Sequence, residues 1–530
     1  MRLYPCPVIL ALALALPLVA CGPDDVTLDG TQDSIGGSDE DADTSAGYEP
    51  VPARGGIGLE QVVVNQGVDV TIAQDGQWVD AVDRNSYILS GRNTLIRGYW
   101  SFPDDWTPRN ILCRLEIEWA DGTTSTREVT QYIDAVYYPG AISRTFTFDF
   151  DAEAVQPGMK FRMSLWEADE TGWEDIAEST DAAIVAPDTG LDLIGVQAEP
   201  MQMKVVFVPV QYDNGGSCVT DTSQITEEQE QKFIDYLYDQ NPTQEIIWDF
   251  RRDEPIVRSA ALTSISLLHA PLQNMREADG ADANTYYYAL VDVCGGGIDG
   301  AAGIAAGIPP ATKDAAFNRV AAGVWLSTSD YTYETFVHEI GHTQGRSHIF
   351  CQGGNSAGND PSYPYDNGHT SVWGFGLNLF EFFSPSTTYD YMTYCQPVWT
   401  SDWTWSKSFV RIATLTAWDF ESPSADDDVI EGEVLIGLLL NDGTEEWWTA
   451  KGGREDEFFS GAQQLRFDVG GESLDVPAAV EVLEDGTTRL TAPVPRTTAP
   501  VKVEARIDSE GDSHALNFDM AIPAPWRVAH

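Results

Sequence analysis

Residues 338–348 read HEIGHTQGRSH, and few folds can satisfy what that run demands. The preceding stretch, 331–337, predicts a helix that runs into it. On a helix, residues four apart share one face, so His338 and His342 can grip a single ion. Gly345 tolerates positive φ and can end the helix in a sharp turn, which brings His348 round as a third ligand. Three imidazoles are a zinc-type donor set, with a fourth position left for water. A structural site would close that position with Cys or His, and the run offers neither. Glu339, beside the first ligand, is placed to take a proton from that water. The chain has only seven histidines among 530 residues, so three at this spacing are not a chance grouping.

The pattern H-E-x-x-H-x-x-G-x-x-H resembles the long zinc signature of the metzincin metallopeptidases. That clan also carries a methionine turn beneath the metal. Here Tyr389-Asp-Tyr-Met392-Thr-Tyr394-Cys395 stands at a suitable distance. The resemblance covers roughly residues 198–420. It implies one Zn2+ per chain on His338, His342 and His348, with Glu339 as general base and Met392 as the turn methionine. In the astacin-like and serralysin-like branches, a tyrosine two residues past the methionine reaches the metal region. The resemblance therefore gives Tyr394 a role in stabilising the tetrahedral oxyanion. The residue after the third histidine is Ile349, where the best-known branches carry an acidic residue, serine or proline, so no branch is assigned.

Elsewhere the chain reads as an exported protein. Met1-Arg2, an apolar run through Leu16 and the ending Leu18-Val-Ala-Cys21 have the plan of a secretory signal. The ending resembles a bacterial lipobox. That resemblance implies a signal peptide over 1–20 and a palmitate-type lipid on Cys21. It places the protein in the bacterial cell envelope, anchored to the outer membrane or cell surface. Residues 22–50 are rich in Asp, Gly, Ser and Thr and lack Lys and Arg. They predict an acidic flexible tether, taken as 21–55.

The formal net charge is −53, which argues against nucleic acid or anionic lipid surfaces as partners. Export permits disulfides. Among Cys218, Cys294, Cys351 and Cys395 the preferred pairs are Cys351 with Cys395 and Cys218 with Cys294, out of three connectivities. Cys113 is left over in a strand-like setting. It reads as a buried structural thiol, with a zinc-capping latency role as the alternative.

The expected fold is multidomain. A central α/β (α+β) metzincin-like catalytic domain over 198–420 is flanked by all-β, sandwich-like domains over 56–197 and 421–530. Alternating strands such as Arg144–Phe150 and Lys160–Trp166, with turn signals at Asp75-Gly76, Asp121-Gly122, Asp442-Gly443 and Asp485-Gly486, support those flanks. Ser401-Asp402 predicts the cap of a helix closing the catalytic part near Trp418. The glycine-rich stretch Cys294–Gly303 lacks the G-x-x-x-x-G-K pattern of a phosphate loop and is expected to let a substrate backbone approach. Asp360, Asp366 and His369 can line subsites or bind Ca2+, against a plain solvent loop. Together these features predict an exported zinc endopeptidase acting on proteins or glycoproteins. The alternative is a surface adhesin or glycan-binding lipoprotein that uses a non-catalytic metzincin scaffold.

Overall fold

Alternation sets the architecture from the first strand onwards. In Arg109–Glu118, Ile111, Cys113, Leu115 and Ile117 are fully buried while Arg114 and Glu116 are not, the period of a half-buried antiparallel strand. This strand lies between Lys160–Glu167 and Thr124–Ile133. A second antiparallel sheet runs in the order Gln77–Trp78, Asp69–Gln74, Gly58–Asn65, Thr94–Ser101, Phe146–Phe150. The two sheets share one apolar core through Val62, Ile96, Leu115, Phe148 and Leu165. Cys113 lies in that core as a free thiol, and burial pushes its pKa well up. The latency role is thereby ruled out for this residue. The computed structural model describes residues 48–354, 358–421, 432–453 and 463–529. The expected signal peptide, Cys21 and most of the tether lie outside the described residues.

The central sheet is mostly parallel. Gln202–Asp213 pairs with Glu245–Phe250 on one edge and Thr285–Val291 on the other, and Val320–Val324 follows. Thr285–Val291 and Val320–Val324 are buried at every position, as strands covered on both faces must be. Gly303–Ala305 closes one edge and runs antiparallel to its neighbour.

Each face of this sheet meets a different partner. Val205, Phe207 and Tyr288 turn to the core that holds Phe336 and Ile340 of the helix Tyr331–Thr343. Phe336 meets Tyr288 and Phe233 edge-on at 4.8 and 5.3 Å between ring centroids. Val206, Val208 and Ala289 face the other way. They join Leu268, Phe317 and, from the C-terminal part, Val434, Ile436, Leu438 and Trp448. The C-terminal strands therefore complete the core of the central sheet. Residues Pro50–His530 form one compact unit.

The C-terminal part is a near-barrel. Among the described residues its eight strands are joined through Glu472–Val482, whose first residues pair with Gln463–Val469 and whose last pair with Thr488–Pro493. One long strand thus carries the sheet round a core of Leu435, Trp447, Phe467 and Leu490. The N-terminal sheets are fastened to the centre by Arg92. Its buried guanidinium donates to the carbonyls of Tyr238, Asn241 and Thr243 at the C-terminal end of helix Glu227–Gln240, where the helix dipole favours a cation. Among the described residues, no helix is long and apolar enough to cross a membrane.

Candidate metal centre and cleft

The helix Tyr331–Thr343 carries His338, Glu339 and His342 and is buried along nearly all of its length. It ends where Gly345 takes φ +84°. A Cβ there would lie 2.2 Å from Arg411 Nη2, so both conformation and space call for glycine. The turn returns His348 to the helix. His342 Nε2 lies 3.1 Å from the Nε2 atoms of both His338 and His348.

Two ring orientations are set from behind. His338 Nδ1 donates to the Tyr391 carbonyl and His342 Nδ1 to the Arg346 carbonyl, each at 2.7 Å. That leaves both Nε2 atoms unprotonated and aimed inward. Burial lowers His342 to about 4, so it is neutral at pH 7. Three converging lone pairs repel unless a cation lies between them. Tetrahedral zinc–imidazole bonds imply a nitrogen spacing of about 3.3 Å, close to what is seen. The donor set fits a zinc ion.

The floor is the methionine turn. Met392 is fully buried and lies directly under Gly341, where a Cβ would come within 2.5 Å of its Sδ. Asp390, unmarked in the sequence reading, builds this turn. Its buried carboxylate accepts from the Met392 N–H at 2.9 Å, the Ser401 N–H at 3.1 Å and the Ser401 hydroxyl at 2.5 Å. Ser401 in turn caps the helix Asp402–Ala417. Cys351 and Cys395 are bonded to each other, as are Cys218 and Cys294. The first bond ties the chain just past His348 to the chain just past the methionine turn.

Glu339 is fully enclosed. Burial, and then the neighbouring Glu484 carboxylate, push it well above the usual carboxylate range. The Ala305 N–H hydrogen-bonds its carboxylate, while Oε2 has no protein partner. A Cβ on Gly303 would meet Glu339 Oε1 at 2.7 Å. The edge strand therefore comes this close only because that position is glycine. Tyr394 stands at the rim, its ring 4.8 Å from His348 and 5.7 Å from His338. Burial and the facing Glu484 and Glu339 carboxylates push its phenol well up.

The fourth position is filled by a residue that sequence reasoning did not single out. Glu484 Oε1 lies 3.0 Å from His348 Nε2, 3.3 Å from His342 Nε2 and 3.8 Å from His338 Nε2. Burial alone would raise its pKa, but the three imidazoles that face it hold it well below the carboxylate range. The expectation of an open site within the HEIGHTQGRSH run is thus corrected by a carboxylate 136 residues beyond His348.

The loop residues Asp360, Asp366 and His369 are bonded locally. Asp360 Oδ1 accepts from the N–H and hydroxyl of Ser362. His369 stacks on Tyr389, and the Asp366 carbonyl accepts from the His369 N–H. Among the described residues, the grouping of three or more metal-capable side chains is His338, His342, His348 and Glu484.

A cavity of about 400 Å³ opens beside His338, lined by Tyr331, Glu334, Thr335, Thr393, Gln396 and Asp299 among others. Burial raises Glu334 to about 7, while a hydrogen bond from Gln396 opposes the rise. Glu334 is therefore neutral below pH 7 and anionic above it. A substrate side chain entering here should be lysine in preference to norleucine increasingly as pH rises from 6 to 8. The ratio of kcat/KM for the two peptides measures this, and Glu334→Gln should flatten it; a ratio that does not move with pH places substrate elsewhere.

Comparison with known proteins adds a family. Residues 318–402 match the family model for Peptidase M66. No curated protein matches the chain. Among solved structures, a calcium-binding mutant of Bacteroides uniformis beta-glucuronidase 2 is similar at 9% identity, over 44% of this chain and 24% of that one, with a TM-score of 0.12. Parabacteroides merdae beta-glucuronidase is similar at 8% identity over 87% and 78%, with a TM-score of 0.14. This chain thus spans about a quarter of the first of these, and neither likeness carries an argument about fold. The helix, the three converging imidazoles and the match to the Peptidase M66 family model over residues 318–402 agree on a zinc-metallopeptidase site.

Proposed function

We propose that the protein is an exported, lipid-anchored zinc endopeptidase that cleaves proteins or glycoproteins, with Glu339 as general base. The observation that carries the reading is the placement of Glu339. Its enclosed carboxylate lines the same cleft as His338 of the three imidazoles that would hold the metal. Zinc, when bound, supplies Lewis acidity towards a water and a carbonyl oxygen. Glu339 takes the proton from the attacking water and passes it to the leaving amine.

The glycine-rich stretch 299–303 lines the cleft, and an extended substrate backbone can lie along it. Tyr394 is placed to donate to the oxyanion. The adhesin reading gives no reason for a buried general base kept intact in the cleft. Lipidation at Cys21 rests on the Leu18-Val-Ala-Cys21 ending, and the flanking β-domains over 56–197 and 421–530 are taken as substrate or surface contacts.

Purified protein should hold about one zinc per chain by elemental analysis. A chelator should abolish cleavage of an unstructured protein such as casein, and added zinc should restore it. Cleavage that survives complete removal of metal would sink the reading.

A further inference from the structure

We propose that Glu484 is the fourth protein ligand of the metal in a latent form of this enzyme, and that the turn carrying it is a built-in plug of the cleft. This rests on the peptidase reading of the site. The first support is position. The distances from Glu484 Oε1 to the three Nε2 atoms, 3.0, 3.3 and 3.8 Å, average close to the spacing of about 3.3 Å expected between tetrahedral zinc ligands. The carboxylate thus stands at the vertex that a reactive water would need.

The second support is construction. Glu484 sits in the turn joining Glu472–Val482 to Thr488–Pro493. Its backbone is at the exposed tip, yet its side chain is only 18% exposed because it reaches into the cleft. The turn is rigid. Leu483 N–H donates to the Thr487 carbonyl at 2.8 Å and Thr487 N–H to Asp485 Oδ1 at 3.0 Å, with Gly486 at φ +82°. Asn441 Nδ2, from the next turn of the same sheet, donates to the Asp485 carbonyl at 2.7 Å and reaches Asp299 at the cleft rim.

The third support is the mooring. Arg489, fully buried, donates to Asn318 Oδ1 at 2.7 Å and to the carbonyl of Ala306, immediately past the edge strand. Behind it, Ile436 and Trp448 share a core with the central sheet, and Trp448 Nε1 donates to Gln273 at 2.6 Å. Separating the whole near-barrel would expose that core. Release therefore occurs at the tip, by withdrawal of the Glu484 side chain or cutting of its turn, and leaves the sheet in place.

The test uses the full chain loaded with Co2+ in place of zinc, as wild type, Glu484→Gln and Glu484→Ala, titrated with acetohydroxamate and followed by visible absorption. The alanine variant should bind acetohydroxamate at least about tenfold more tightly than wild type. Its cobalt bands should shift with pH as a coordinated water ionises, while those of wild type stay fixed, and the glutamine variant should fall between. Peptide cleavage should rise at least about tenfold in Glu484→Ala. Equal hydroxamate affinity and identical spectra would overturn the plug. So would loss of Co2+ from both variants, which would make Glu484 a structural ligand. Tighter hydroxamate binding with no cleavage by any variant would uphold the plug and defeat the peptidase reading.

Discussion

Glu339→Gln should retain its metal and lose about a thousandfold or more in kcat/KM, equivalent to about 4 kcal/mol of transition-state stabilisation. The measurement belongs on a Glu484→Ala background, where the plug does not limit the rate. Glutamine keeps the shape of glutamate and can still accept the Ala305 N–H that holds the native carboxylate. The fold and the three imidazoles are left alone. What disappears is the capacity to hold a proton between water and leaving amine. Cleavage of peptides at wild-type speed by this variant, with zinc content unchanged, would remove Glu339 from the chemistry.

Tyr394→Phe should cost about 2.7–4 kcal/mol if its hydroxyl donates to the oxyanion, chiefly in kcat with little change in KM. The ring contacts with His338 and His348 survive in phenylalanine. Tyr394 is 39% exposed, so its hydroxyl contributes little to folding. In the plugged form that hydroxyl faces Glu484, so the group that would stabilise the transition state meets the group that blocks it. A phenylalanine enzyme within twofold of its parent would show that the hydroxyl serves only that contact. Loss of zinc would instead make Tyr394 a structural support.

The local parts of this site were legible in the sequence, and the distant parts were not. His338, Glu339 and His342 lie on one helix, so a period of 3.6 places them, and Gly345 announces the turn that returns His348. Met392 and Tyr394 could be placed only by resemblance, since nothing in their spacing shows what lies above them. Asp390 looks like any loop aspartate until its bonds to Met392 and Ser401 are seen. Glu484 left one sign, the Asp485-Gly486 pair that marks a hairpin turn. That sign predicts the turn and says nothing about what its tip touches, because the contact depends on how one sheet docks on another. The same limit applies to the C-terminal strands. Their alternation reads as a separate β-domain, but their second apolar face is spent on Val206 and Val208 of the central sheet and on Phe317 beside it.

That shared core has a kinetic consequence. An inhibitor that folds as part of its target has no dissociation constant in the ordinary sense, and dilution cannot remove it. The Glu484 carboxylate meets the metal at an effective local concentration on the order of millimolar or above, set by geometry. A monodentate competitor in solution must overcome that concentration, whereas an extended substrate that also lies along the glycine-rich cleft edge brings many contacts at once. If Glu484 plugs the metal, short peptides should be cleaved more slowly than long unfolded segments, which have more binding energy with which to displace the glutamate.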